Sequence, residues 1–558
     1  MPKVFFVQSQ QEAKVPLGST ILEAVRKAGM AIDSPCNQTG VCGKCRVLLS
    51  PQSLSNIKNP EQSVLPPELQ TIGWALACHT AIHGDIEIVE IPDAKRDSGA
   101  VLQHGHRSDL AHAPLLFKQF IEKNDSTLIF AGQECIGEET GDTSPKLFGV
   151  AVDIGTTTLV TSLIDLLSGE ELASVSEHNP QSRYAQDVLS RISFAKTGEG
   201  LQNMQHTLMA TLNTMLTQLT DQAGIEAKSI YELVFSGNTC MLHLATGTDP
   251  TSLGRYPYTP LITGNLHLDA GDLGLQVSPF ARVYMPPILS SFVGADITSG
   301  ILSLQLHKQS GISLFVDIGT NGEIVLAENG KMTATSTAAG PALEGMNISC
   351  GMCAGPGAVE SVTSNPGNPN GGISFRTIAD KPARGLCGSG LIDLIATLID
   401  LGVIESNGRF ASPDALAPNL AKHLVQSNGK MAFALTPEVL LSQKDIRQVQ
   451  LAKGAIQAGI DFLMTHTGVG TAQVDRVLIA GAFGYHLATD SLLTLKILPS
   501  AFADKIDYVG NTSKTGGHTF LTNALCREEM AAVSREINIL ELSNQPDFER
   551  LFVRCLSF

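Results

Sequence analysis

Residues 34 to 45 read SPCNQTGVCGKC. Five residues separate Cys36 from Cys42, two separate Cys42 from Cys45, and thirty-two (46 to 77) precede Cys78. Three thiolates on one short glycine-rich loop with a distant fourth is how a chain wraps a 2Fe–2S cluster. Gly40 and Gly43 let the backbone turn sharply and aim N–H groups at sulfur, which stabilises a charged cluster. Zinc is the rival, since four thiolates also bind it tetrahedrally. Zinc sites usually pair two CxxC knuckles, however, and Cys78 has no such mate.

A second chemistry is written twice. Residues 147–165 read LFGVAVDIGTTTLVTSLID and residues 312–327 read ISLFVDIGTNGEIVLA. Each is an apolar strand, then DIGT, a second strand, a turn (Ser168-Gly169 or Asn329-Gly330) and a third strand. The two Asp residues are 164 positions apart (317 minus 153), so the chain carries an internal duplication. An Asp at a strand's end can hold Mg2+ through water, as that ion prefers. The Gly after it permits a tight hairpin whose N–H groups and Thr hydroxyls face phosphate. Two such hairpins facing each other would clamp one triphosphate from both sides.

These residues need elements to position them. Lys3 to Gln8 and Glu12 to Pro16 read as a hairpin of strands. Ser19 or Thr20 caps a helix with apolar positions Ile21, Leu22, Val25 and Ala28, ended by Gly29. Arg46 to Leu49 is a strand, Trp74 to Thr80 a strand-like run that delivers Cys78, and Ile86 to Ile91 an alternating strand that closes the unit. From Pro92 to Lys146 the chain mixes charge and glycine and reads as a tether, with small elements at Leu115–Phe120 and Thr127–Ala131. His104, His106 and His112 in it are accompanied by no Cys or carboxylate pattern. Val477 to Gly484, VLIAGAFG, is a buried strand ending in small residues that let a backbone pass close to a nucleoside. Gly385 to Asp393, GLCGSGLID, is a glycine turn opening a helix, a second candidate for nucleotide contact or for the connection between lobes.

Composition narrows the function classes. The chain has 558 residues, 43% of them apolar, enough for several domains with a large core. Its net charge is −16 and its Lys and Arg residues are scattered, so nucleic acid is not expected as a partner. No apolar run reaches the length of a membrane span. The opening MPKVFFVQSQQEAK turns polar too soon for a signal peptide, which predicts a cytoplasmic protein. Eleven Cys, an odd number in a long chain without an export signal, favour reduced thiols and cofactor ligation over disulfides.

The first 92 residues resemble the β-grasp ferredoxins, and the five-residue gap after Cys36 is similar to adrenodoxin-type and related bacterial members. The two DIGT hairpins resemble the phosphate motifs of the acetate and sugar kinase, heat-shock chaperone and actin superfamily, with VLIAGAFG as its adenosine motif. A ferredoxin unit ahead of such an ATPase resembles the reductive activators of corrinoid proteins. So do NPQSRYAQDVLSRISFA, VFSGNTCMLHLATG, SFVGADITSG, AAGPALEGMNISCGMCAGPGAVE and LAKGAIQAGI. The implied architecture is α/β and α+β multidomain: a β-grasp 2Fe–2S ferredoxin at 1–92, a linker or small middle element at 93–146, and a duplicated ribonuclease H-like ATPase (actin/chaperone-like) with lobes at 147–300 and 301–558.

The resemblance implies a function and a site. An ATP-hydrolysing activator would pass one electron from the cluster to a corrinoid (B12) protein or B12-dependent methyltransferase, converting inactive Co(II) to Co(I). That step is uphill for a ferredoxin at about −400 mV; it is crossed either by a later event that removes product or by coupling to ATP, and the resemblance implies the latter. Cys36, Cys42, Cys45 and Cys78 would hold the cluster. Asp153 and Asp317 would position Mg2+. Gly155, Thr156, Thr157 and Thr158, with Gly319, Thr320, Asn321 and Gly322, would contact phosphate. Gly388, Gly481, Ala482 and Gly484 would lie along the nucleotide. Asp296 either orients the attacking water or caps a helix, and Glu323 reads as a strand-face carboxylate within reach of the metal. An upstream reductase or ferredoxin would supply electrons, and a homodimer is left open. Cys350 and Cys353 form a CxxC such as bridges a cluster in activators of 2-hydroxyacyl-CoA dehydratases; small buried thiols are the plainer reading, as for Cys240, Cys387, Cys526 and Cys555. Cys135 reads as a structural or free thiol. Asn238 and His243 either line the cleft or are satisfied structurally. The competing functions are activation of another low-potential enzyme, a redox-sensing ATP-binding module, and a small-molecule kinase.

Overall fold

Lys3–Phe6 (β1) and Gln11–Lys14 (β2) pair antiparallel at the start of a computed structural model, which describes residues 1–28, 30, 32, 45–58, 65, 67–91, 111–364, 372–427, 429–481 and 487–558. Thr20 caps Ile21–Lys27 (α1) in a reciprocal pair with Glu23, and Ile21, Leu22, Ala24 and Val25 face the core. Arg46–Leu49 (β3), Trp74–Leu76 (β4) and Ile86–Glu90 (β5) complete a five-stranded sheet of order β2-β1-β5-β3-β4. This is the mixed sheet with one packed helix that the ferredoxin resemblance implies. The run delivering Cys78 is shorter than expected. It leaves the sheet at Leu76, whose carbonyl accepts from both His79 and Thr80 N–H, so Cys78 sits in a turn.

The stretch read as a tether carries a sheet of its own. Leu116–Ile121 (β6), Ser126–Ala131 (β7) and Glu134–Thr140 (β8) form an antiparallel meander. It is docked, because Lys118 Nζ, which also bonds Glu139 Oε2 within the meander at 2.8 Å, donates to the Tyr231 hydroxyl at 2.6 Å. Ala113 N–H also donates to the Thr522 carbonyl at 2.7 Å. Cys135 is exposed on β8.

The duplication is realised strand for strand. Phe148–Ile154 (β9), Thr158–Asp165 (β10) and Glu171–His178 (β11) form one meander. The helices Val188–Phe194 (α2) and Gly198–Ala223 (α3) follow, then Ile230–Gly237 (β12) parallel to β9, and Thr239–Ala245 (α4). Leu266–Asp269 (β13) and Arg282–Met285 (β14) complete the order β11-β10-β9-β12-β14-β13. Ala295–Leu304 (α5) leads into the second half. There Ile312–Ile318 (β15), Gly322–Glu328 (β16) and Lys331–Thr337 (β17) repeat the meander. After Gly388–Asp400 (α6) and Gln443–Thr467 (α7), Arg476–Ala480 (β18) lies parallel to β15 and Ile506–Gly510 (β19) parallel to β18. Asn538–Ile539 (β20) gives β19-β18-β15-β16-β17-β20.

The outer faces of the two sheets are covered by α3 and by α6 and α7. Between the inner faces lies a shared core containing α5 and Thr512–Thr522 (α8). These helices cross closely because glycines meet backbone: a Cβ on Gly516 would stand 2.1 Å from the Ser299 carbonyl oxygen, and one on Gly300 would press on Phe315 and Thr512. Although α8 follows the last parallel strand of the second sheet, it packs on the first. A Cβ on Gly517 would touch Ala151, and Leu521 lies over Gly149.

Candidate functional site

Both DIGT hairpins turn at the same end of their sheets, and the chain fixes their conformation from outside. In the first, Gly155 N–H donates to Thr158 O at 3.0 Å. The carbonyls of Gly155, Thr156 and Thr157 are all taken: by Asn179 Nδ2 at 2.7 Å, Arg191 Nη2 at 2.6 Å and Asn179 N–H at 2.8 Å. Arg191 is fully buried on α2, which lowers its pKa to about 10 and leaves it cationic at neutral pH. These partners hold the loop's conformation from outside the cleft. In the second hairpin Gly319 N–H donates to Asn321 O at 2.9 Å and Gly340 N–H to Thr320 O at 2.8 Å.

Each hairpin's Asp lies beside the parallel strand of its sheet, in register with Ser236 and Ala480 respectively. The next residue there is a glycine for the same reason in both halves. A Cβ on Gly237 would come 2.6 Å from Ile154 O, and one on Gly481 2.3 Å from Ile318 O and 3.2 Å from Asp317 Oδ1. Ala482 and Gly484 lie outside the described residues.

Asp153 accepts from Asn511 Nδ2 and from Ser513 Oγ, both at 2.8 Å. Burial nevertheless raises its carboxyl above the usual range. Asp296 is the second residue of α5, not its cap; Gly294 holds that place and Asp296 Oδ1 accepts from Ile297 N–H at 2.9 Å. Burial, with Asp153 next, pushes Asp296 up to about 7. Asp317 is pushed up to about 8 by burial and by Asp296, Asp153 and Glu344. Glu323 is buried and faces the same group, raised by burial, Asp296 and Asp317. The structure therefore gathers the three predicted Asp residues and Glu323 around one cleft. Among the described residues, no three His, Cys, Asp or Glu converge as a ready-made metal cage.

Gly388 opens α6 directly under the Pro341–Glu344 turn, where a Cβ would stand 2.3 Å from Leu343 O. Glu344 reaches from this turn to the DIGT hairpins, accepting from Thr320 Oγ1 at 2.7 Å. Thr157 Oγ1 of the first hairpin lies 3.2 Å from Thr320 Oγ1.

Cys45 and Cys78 are buried with their Sγ atoms 3.2 Å apart, well beyond a disulfide bond and placed for one metal centre to hold both. Cys36 and Cys42 lie outside the described residues.

Three comparisons with known proteins bear on this arrangement. The chain is 30% identical to the corrinoid activation enzyme RamQ of Eubacterium limosum, over 100% of this chain and 99% of that one. The chain belongs to the reductive activators of corrinoid proteins. It is also 26% identical to the Co(II) methylated amine-specific corrinoid protein reductase of Methanosarcina barkeri, over 73% of this chain and 74% of that one. A solved structure of a reductive activator for corrinoid, iron–sulfur protein superposes with a TM-score of 0.74 at 28% identity, covering 100% and 98% of the two chains. Family models for the 2Fe–2S iron-sulfur cluster binding domain, the RACo middle region and the C-terminal ASKHA domain of RACo match residues 5–83, 148–309 and 311–558. The middle region of the family thus falls on the first DIGT half.

In this reductive activator several residues at the cleft carry little sequence signal. Asn179 and Arg191 are visible only as part of a motif, and Glu344 only within AAGPALEG. Asn511 and Ser513 give no signal, because their partner Asp153 lies 358 and 360 positions upstream. His243 is structural: Leu261 N–H donates to its Nε2 at 3.1 Å, so Nδ1–H donates to Thr239 O at 2.8 Å. Asn238 caps α4 and donates to Thr156 Oγ1 at 2.9 Å, so it also steadies the first hairpin. His112 Nε2 bonds the Leu166 carbonyl at 2.9 Å, while His104 and His106 lie outside the described residues. Cys240, Cys387, Cys526 and Cys555 are buried, and Cys350 and Cys353 half-buried. Among the described residues, no helix is long and apolar enough to cross a membrane.

Proposed function

We propose that this activator uses ATP to drive one electron from a cluster held by Cys36, Cys42, Cys45 and Cys78 onto the Co(II) of a partner corrinoid protein, giving Co(I). The observation that carries the reading is the end-to-end similarity to a corrinoid activation enzyme of a chain whose two DIGT hairpins meet across one carboxylate-lined cleft. A 2Fe–2S cluster supplies one electron at a time. Residues 1–92 are read as the electron carrier, 93–146 as a linker with its small sheet, and 147–300 and 301–558 as the two ATPase lobes.

In the cleft, Asp153 and Asp317 would hold Mg2+, which would neutralise phosphate charge there. Gly155 to Thr158 and Gly319 to Gly322 would take the phosphates, and Gly481 and Gly388 would line the nucleotide, with Ala482 and Gly484 as further candidates from the sequence. Asp296, at the start of α5 beside Asp153, would accept a proton from an attacking water. Nucleotide binding between the hairpins and its hydrolysis would change the arrangement of the lobes and of the docked corrinoid partner. That cycle couples an unfavourable reduction to a favourable reaction.

The test mixes the reduced protein with a Co(II) corrinoid protein, with and without Mg-ATP. A rise of Co(I) absorption that requires ATP is expected; no rise with ATP present rejects the reading.

A further inference from the structure

Glu344 stands at the meeting point of the two lobes without a part in the chemistry described so far. Its Oε1 accepts from Thr320 Oγ1 at 2.7 Å. Thr157 Oγ1 lies 3.2 Å from Thr320 Oγ1 and also hydrogen-bonds the Glu344 carboxyl. The chain Thr157–Thr320–Glu344 therefore ties the first phosphate hairpin to the second, through a carboxylate anchored in the second lobe. The anchor is firm. Gly345 has φ +80°, and a Cβ there would press within 3.1–3.5 Å of Leu386 O, Met352 O and Gly388 N, so the turn is seated against the start of α6.

The same hydroxyls are the ones a triphosphate needs from these hairpins. We propose that Glu344 is a displaceable latch, holding Thr157 and Thr320 together across the lobes until triphosphate oxygens take their hydroxyls. It is a positioning residue acting through the two threonines. The inference rests on the ATP-cleft reading above and adds a cost to nucleotide entry that the lobes themselves set.

Two substitutions separate reach from charge. Glu344→Gln keeps the length and the accepting oxygen and loses the charge. Glu344→Asp keeps the charge and is one methylene too short to reach Thr320. Binding of a non-hydrolysable ATP analogue with Mg2+ is measured calorimetrically on the full, cluster-loaded chain. A latch predicts that the Asp variant binds about three- to tenfold tighter than the parent, the worth of one ordinary hydrogen bond, and that the Gln variant stays within about twofold. If Asp binds no tighter, or if Gln tightens as much as Asp does, the latch is overturned, the second outcome pointing to charge repulsion. If the parent chain does not bind the analogue at all, the ATP-cleft reading falls and the latch with it.

Discussion

Asn511 Nδ2 donates to Asp153 Oδ2 at 2.8 Å, joining residues 358 positions apart in the chain. With Ser513 on the other oxygen, the carboxylate of the first hairpin is oriented by the start of α8, an element from the far half.

Asn511→Ala is expected to lower ATP hydrolysis about tenfold or more and to raise the Mg2+ concentration needed for half-maximal rate. A hydrogen bond to a charged group contributes about 1.5–3 kcal/mol. The visible absorption of the cluster serves as control and should not change. An unaltered Mg2+ requirement would show that Asp153 needs no such support.

Asp317 dictates an inverted pH response. Its carboxyl titrates near about 8 in the fold, against about 3.9 in an unfolded chain. A group raised on folding contributes stability that is fully present below the unfolded value and is lost as pH rises through the folded one. The nucleotide-free protein is therefore expected to melt at a lower temperature at pH 8.5 than at pH 6. Asp317→Asn should flatten that slope, measured by circular dichroism at constant ionic strength. Identical slopes in parent and variant would remove Asp317 as the cause.

Gly516→Ala tests the helix crossing. Its Cβ would stand 2.1 Å from the Ser299 carbonyl, a backbone atom that cannot swing aside. Overpacking of this kind costs about 1–3 kcal/mol or more, so the melting temperature should fall by several degrees. Gly198→Ala, at the first residue of α3 with open space around it, should be neutral or slightly stabilising. Equal melting of the two variants would mean the crossing yields more than its geometry allows.

Cys78→Ser should strip iron and sulfide from the protein and abolish its visible absorption, since Cys78 Sγ lies 3.2 Å from Cys45 Sγ, where one cluster could take both. Binding of the ATP analogue should persist, because the phosphate hairpins belong to other sheets. Retained iron and sulfide would disqualify Cys78 as a ligand.

The hairpins are legible in the sequence because a duplicated pattern constrains itself: Asp153 and Asp317 pair through their matching flanks alone, and the strands beside them fall where the apolar runs place them. Strand β3 and the Thr20 cap are legible for local reasons, alternation and a Glu three residues on. What escapes is non-local. Asn511, Ser513 and Glu344 act by where the chain returns, which no window of sequence records. The docked meander at 116–140 reads as a tether because its strands are short and polar on one face, and Lys118 finds its partner Tyr231 only across a sheet boundary. Apolar residues ahead of Cys78 predict a strand there, whereas two N–H groups converging on Leu76 O end the strand first.

The placement of α8 reaches beyond the cleft. A ribosome must all but finish the chain before the inner face of the first sheet can be fully covered, so that face waits for a helix from the later half. Splitting the gene at the boundary between the repeats would thus yield two insoluble pieces, and any transplant of one repeat into another protein would have to carry this helix with it.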